Sequence, residues 1–245
     1  MLELQNILYV ITQGTVLQLD HDTVRVTVES ETVARVPLVR IAGIVMVGRV
    51  SATPFLIQRC AEDGRSLAWL DARGRFKARI EGAVRGNVLL RRAQHLALSD
   101  SGRTLGVARQ IVAGKLQNTR QVLLRAARET TDEADQVALD DVAERIAGIL
   151  VRLPDIPSLD EMRGAEGEAA RNYFGVFGHM VRVDRQSLAP DGRSKRPPRD
   201  RANALLSFLY ALLRGECSSA LEAAGLDPQI GYLHALRPGR PALAL

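Results

Sequence analysis

Gly86-Asn-Val88-Leu-Leu-Arg-Arg-Ala-Gln94-His-Leu-Ala-Leu98 is the stretch at which the periodicity of the chain changes. Before it, apolar residues alternate with polar ones or run together in short blocks. From Val88 onward they recur at the helical period of about 3.6. Upstream, Val16-Leu-Gln-Leu19 and Val24-Arg-Val-Thr-Val28 flank Asp20-His21-Asp22, which predicts a hairpin. Val36 to Val47 carries further strands, and Ile41-Ala-Gly-Ile-Val-Met-Val47 is a continuous apolar run suited to a buried strand. Thr53-Pro54 opens a short helix over Phe55–Glu62, closed by Asp63-Gly64. Leu67–Leu70 and Arg75–Ile80 frame a turn at Asp71-Ala-Arg-Gly74.

Downstream, helices are expected at Val88–Leu98, Leu105–Arg128, Asp140–Leu150, Leu159–Val181, Ala202–Arg214 and Ser218–Ala224. The fold class is therefore α+β: a β-rich N-terminal domain over 1–83, a hinge over 84–90, and an all-α domain over 91–245. The long irregular stretch Asp184–Asp200 has the length of a functional or mobile loop.

With 245 residues, 46% of them hydrophobic and 25% charged, the chain has enough apolar surface for two ordinary domains. Its N-terminus lacks the basic and apolar regions of a signal peptide, and its apolar runs are too short to span a bilayer. Cys60 and Cys217 are far apart and read as small packed residues. A reducing cytoplasm is the expected location. The net charge is +5. Lysine occurs only at Lys77, Lys115 and Lys195, a bias that GC-rich coding explains as readily as phosphate binding does. Charge placement says more: Arg182–Arg201 holds seven basic and three acidic residues.

Three segments carry residue types suited to chemistry. In Arg163-Gly-Ala-Glu166-Gly-Glu-Ala-Ala-Arg171-Asn172-Tyr173-Phe, a helix would set Glu166 among small residues that permit close approach. On spacing alone, Glu166 reads more readily as an ion-pair partner for Arg163 or Arg171. In Gly192-Arg193-Ser-Lys195-Arg196-Pro-Pro-Arg199-Asp200-Arg-Ala-Asn203, a proline-stiffened cationic loop feeds a helix that Asp200 is placed to cap. Such a loop suits a phosphate backbone, and its charge alone suits a solvated surface as well. In Gly225–Leu245, His234 follows the turn Leu226-Asp-Pro-Gln229 and Gly231; a lone histidine there is more often structural than a ligand.

Taken in order, these three segments closely resemble the CRISPR-associated integrase and endonuclease family, the larger of two core adaptation proteins, and its type I branch in particular. Gly74-Arg75-Phe76, Arg91-Arg92-Ala-Gln94 and Gly114-Lys115-Leu-Gln-Asn118 are also similar to family features.

The resemblance implies a metal-dependent DNA endonuclease that inserts foreign DNA fragments as spacers at CRISPR repeats. It implies Glu166 and His234 as catalytic metal ligands for Mn²⁺ or Mg²⁺. Arg171, Asn172, Tyr173, Arg193, Lys195, Arg196, Arg199 and Asn203 are the expected DNA-binding residues. The expected partners are double-stranded DNA, a second copy of the chain joined through the β-rich domain, and a small ferredoxin-like adaptation protein. Ile41–Val47 is a candidate contributor to that dimer. The family's third ligand, an aspartate, follows the Leu-Ala-Leu run that ends here at Leu245. Weak or absent activity is therefore expected, with a catalytically impaired DNA-binding fragment as the alternative. A DNA-repair nuclease is a more distant reading.

Overall fold

A computed structural model describes residues 6–80, 82, 88–190 and 192–245. The expected hinge at 84–90 lies mostly outside these residues, and its last three positions open a helix that starts at Val88. The chain forms two compact units. One comprises 1–87 with 211–226, the other 88–210 with 227–245. Segment 211–226, expected to belong with the other helices, thus groups with the strands. Ala211, Leu212, Gly215 and Ser219 lie beside Val45, Ala68 and Leu70 of the sheet, and the Arg79 guanidinium donates to both carboxylate oxygens of Glu222 at 2.9 Å.

The first unit holds two four-stranded sheets. One has the order β1 (Asn6–Val10), β5 (Ile41–Val47), β7 (Ser66–Leu70), β8 (Phe76–Ile80), parallel except for the β7–β8 hairpin. The other has the order β4 (Glu31–Pro37), β3 (Thr23–Val28), β2 (Val16–Asp20), β6 (Ser51–Ala52). The β2–β3 hairpin turns on His21 and Asp22, with His21 at φ 53°. Helix α1 (Pro54–Asp63) turns Leu56 and Cys60, one helical turn apart, into the sheet core. That burial pushes the Cys60 thiol up to about 11. The apolar strand Ile41–Val47 is paired on both edges and buried in its own unit. Internal packing therefore accounts for it, and it presents no free strand edge for a dimer.

The second unit is helical: α2 (Val88–Leu98), α3 (Ser101–Glu129), α4 (Glu133–Arg152), α5 (Leu159–Gly175), the single turn α6 (Arg185–Leu188) and the first half of α7 (Arg201–Ala223). Three starts are capped by side chains accepting a backbone N–H: Asp100 from Arg103, Asp132 from Asp135, and Ser158 from Glu161. Ala108, Val112, Leu116, Leu123 and Ala127 of α3 line one stripe. They pack with Leu139, Ala143 and Ile146 of α4 and with Met162, Ala165 and Ala169 of α5. Among the described residues, no helix is long and apolar enough to cross a membrane.

Candidate metal and DNA site

Glu166 sits one residue after buried Ala165, at the border of the α5 stripe. Its carboxylate accepts a hydrogen bond and ion pair from the ammonium of Lys115, a residue of α3 adjacent in sequence to the buried Leu116. Glu166 is mostly covered and Lys115 half exposed. An ion pair at Glu166 was one of the two expectations from spacing, but neither Arg163 nor Arg171 supplies it. Arg163 is engaged elsewhere, pairing with Asp160 and donating Nε–H to the Leu233 carbonyl at 2.6 Å.

That last bond positions His234. Arg163 lies one turn before Glu166 and holds the carbonyl of the residue before His234, while Leu233 itself is buried in the helical core. Further back, the buried Gln94 side chain donates to the carbonyls of Asp227 and Ile230 at 2.8 and 3.1 Å and accepts from Asp227 N–H at 2.8 Å. Gly231 lets the segment fold on itself: a Cβ there would stand 2.5 Å from the backbone of Ala242.

The result brings the Glu166 carboxylate within electrostatic reach of His234. Burial first, then Arg240, hold the His234 imidazolium below its ordinary pKa. Glu166 opposes this, while Lys115 and Arg163 add to it. His234 is thus biased to the neutral ring, the form that donates a lone pair to a metal.

The two side chains fit a hard divalent cation in kind, one giving carboxylate oxygen and the other imidazole nitrogen. Glu166 already faces a cation, the Lys115 ammonium. Among the described residues no group of three or more His, Cys, Asp or Glu side chains comes together. The remaining positions would fall to water or phosphate oxygen.

The basic segment is built around a buried asparagine. Asn203 is fully enclosed, and its side chain donates to the carbonyl of Gly192 at 2.9 Å and to Asp200 at 2.6 Å. Its side-chain oxygen accepts from Ser194 N–H at 3.0 Å and from Arg193 at 2.8 Å. Arg193 also donates to the Ser194 carbonyl at 2.6 Å and to Ser207 Oγ at 3.2 Å. Its guanidinium lies 5.9 Å from the Phe174 ring centroid and 5.6 Å from that of Tyr210.

Through these bonds Asn203 and Arg193 frame the loop. Lys195, Arg196 and Arg199 are exposed around a cleft of about 580 Å³.

Tyr173 stands two turns beyond Glu166 on α5. It packs against the helical core and meets Phe174 and Phe177 edge-on at 5.2 and 5.9 Å. Arg171 is exposed, forms no ion pair with another described residue, and is available to an anion; Asn172 is half-buried beside it. The sequence reading missed the neighbours that finish the site: Lys115, Arg240 and the clamping role of Arg163. Lys115 stands in the Gly114–Asn118 segment that resembles the family, but the sequence attaches no role to it.

Comparison with known proteins gives the family. The model of CRISPR associated protein Cas1 matches residues 8–245. A CRISPR-associated endonuclease Cas1 of Moorella thermoacetica is 54% identical over 242 residues, covering 99% of this chain and 71% of that protein. Among solved structures, a CAS1 protein from Thermotoga maritima aligns with TM-score 0.77 at 21% identity, over 98% of this chain and 72% of that one. A casposase bound to integration product aligns with TM-score 0.74 at 22% identity, over 98% of this chain and 67% of its own. The chain belongs to the CRISPR-associated Cas1 family.

Proposed function

We propose that the chain acts in CRISPR adaptation as a metal-dependent DNA endonuclease and integrase, with Glu166 and His234 as ligands of one Mn²⁺ or Mg²⁺ ion. The observation that carries this is the bond from Arg163, one turn before Glu166, to the carbonyl of Leu233, the residue before His234, which ties together segments some 70 positions apart. Family membership and the casposase likeness support the class of chemistry.

When bound, such an ion polarises the scissile phosphate and activates a water or a DNA 3′-hydroxyl for in-line attack. The chain's own residues do the rest. Glu166 gives the anionic ligand and His234 a neutral one. Arg163 holds the two in register. Lys195, Arg196 and Arg199 grip backbone phosphates without reading bases, since exposed cations on a loop position rather than specify. Arg193 anchors that loop on Phe174, eight residues beyond Glu166 on the same helix. At 1.5 Å per residue the anchor is about 12 Å along α5 from the metal ligand. That reach corresponds to roughly three or four nucleotides of a strand, so the loop holds DNA close beside the bond being cut.

A homodimer through the β-rich unit and a small ferredoxin-like partner belong to the same reading and rest on the resemblance. Exposed Val33 on edge strand β4 and exposed Phe55 on α1 are apolar surface available to a second copy.

The test is strand transfer of a short duplex into a repeat-containing target by this chain in Mn²⁺. Glu166→Gln and His234→Ala should each lower the rate by at least about a hundredfold, whereas Glu168→Gln should not. Strand transfer by the unaltered chain that persists equally in all three variants would defeat the assignment. The competing reading, a DNA-binding fragment without catalysis, predicts retained duplex binding and no transfer by the unaltered chain.

A further inference from the structure

Among the described residues, Lys115 is the one cation bonded to a side chain of the proposed metal-ligand pair. Its ammonium is bound to Glu166, contributes to the field on His234, and remains half exposed. An ammonium and a divalent ion cannot share one carboxylate lone pair at contact distance without mutual repulsion. A half-exposed lysine–glutamate pair is weak, worth up to about 1 kcal/mol, so a divalent ion can displace the ammonium. Once displaced, the lysine remains tethered beside the site with its charge uncompensated, on a flexible four-carbon stem. The nearest new anion would be the phosphate of a bound DNA strand.

We infer that Lys115 is a two-position cation: it occupies the Glu166 carboxylate when the site is empty and transfers to a DNA phosphate when a divalent ion takes that carboxylate. This rests on the metal-site reading above and adds to it a positioning residue and an order of events. In the empty protein the ion pair keeps Glu166 compensated and in place. In the loaded complex, the same charge that opposed the ion now helps retain the strand beside it.

The experiment uses the full chain, Mn²⁺ binding followed by water-proton relaxation, and duplex affinity measured against KCl. Lys115→Met should bind Mn²⁺ roughly two- to fivefold more tightly than the unaltered chain, since one ion pair no longer competes. Lys115→Arg should behave like the unaltered chain. With Mn²⁺ present, Lys115→Met should lose about 0.9 from the log–log salt slope of duplex binding, the signature of one phosphate contact. Without Mn²⁺ the slope should be unchanged, because the lysine is then held by Glu166.

Unchanged or weaker Mn²⁺ binding in Lys115→Met would overturn the inference. A slope that shifts equally with and without the metal, or in neither condition, would also overturn it. Glu166→Gln separates the two levels: loss of Mn²⁺ binding there retains the metal site whatever Lys115 does, while undiminished binding removes the site and this inference with it.

Discussion

At the scale of single residues, enclosure separates roles that sequence motifs merge. Arg193, Arg196 and Asn203 stand in one run, and from sequence all three were expected to contact DNA. Asn203 instead has both ends of its amide satisfied inside the loop, and Arg196 points to solvent. Removing a buried hydrogen-bonding side chain leaves its partners unsatisfied, at about 1–3 kcal/mol. Asn203→Ala should therefore lower stability by about that amount in urea denaturation. Arg196→Ala should stay within roughly 0.5 kcal/mol and lower duplex affinity instead. A stable Asn203→Ala variant with weakened DNA binding would reverse the assignment.

Asp135 provides a second residue-scale case, with a pH dependence. It accepts two bonds from Arg185, at 2.8 and 2.7 Å, and pairs with His179 at 2.7 Å. These partners, Arg185 first, hold its carboxyl below the usual range. A depressed carboxylate contributes stability that is fully present above its unfolded pKa, about 4, and is lost as pH falls through the lower folded value. Asp135→Asn should therefore be less stable than the unaltered chain by a constant margin above about pH 5, and the margin should shrink as pH drops below about 4. Urea midpoints across that range decide it; a margin that widens on acidification would contradict the pairing.

At the scale of elements, the sequence is legible where the period is regular and obscure where tertiary contacts decide. Helix α2 and the apolar strand β5 fall where the pattern puts them, because amphipathic spacing and an unbroken apolar run are local signals. Strand β4 begins at Glu31, earlier than expected. Its side chains are mostly exposed, and its hairpin turns on Glu29 and Ser30, both with positive φ, in place of the Asn-Gly pair that usually signals such a turn. The Leu159–Val181 helix ends at Gly175 instead, and α7 runs unbroken through Gly215 where two helices were expected. A single glycine costs a helix only about 1 kcal/mol, which long-range packing readily offsets.

The element that carries His234 depends on a close approach no local pattern reveals. Gly231 lies against the backbone of Ala242. Gly231→Ala forces the segments at Gly231 and Ala242 apart, so it should cost about 1–3 kcal/mol and weaken Mn²⁺ binding without altering either ligand. Thermal melting together with Mn²⁺ titration checks both parts. An unchanged affinity would show that the turn does not set the position of His234.

At the scale of the whole molecule, the division into a strand-rich and a helical unit could be read from the change of period, and the family from three ordered motifs. The return of 211–226 to the strand-rich unit could not be, because its contacts there, the Arg79–Glu222 pair across 143 positions among them, follow no sequence period. The site has the same character. Glu166 and His234 were identifiable by resemblance, while the pieces that join them, Arg163 to Leu233 and Gln94 to the 227–230 turn, are long-range bonds with no sequence period.

Joint binding of one divalent ion by Glu166 and His234 is tested by pulsed electron paramagnetic resonance of Mn²⁺ on the chain labelled with ¹⁵N-histidine, because only a nitrogen bound to the ion couples strongly to the electron spin. With four histidines in the chain, the strong ¹⁵N coupling of one histidine should survive His95→Ala and His179→Ala and vanish in His234→Ala, and the bound ion itself should be lost in Glu166→Gln. Histidine coupling that persists in His234→Ala, or an ion bound by the unaltered chain with no histidine coupling at all, would contradict it.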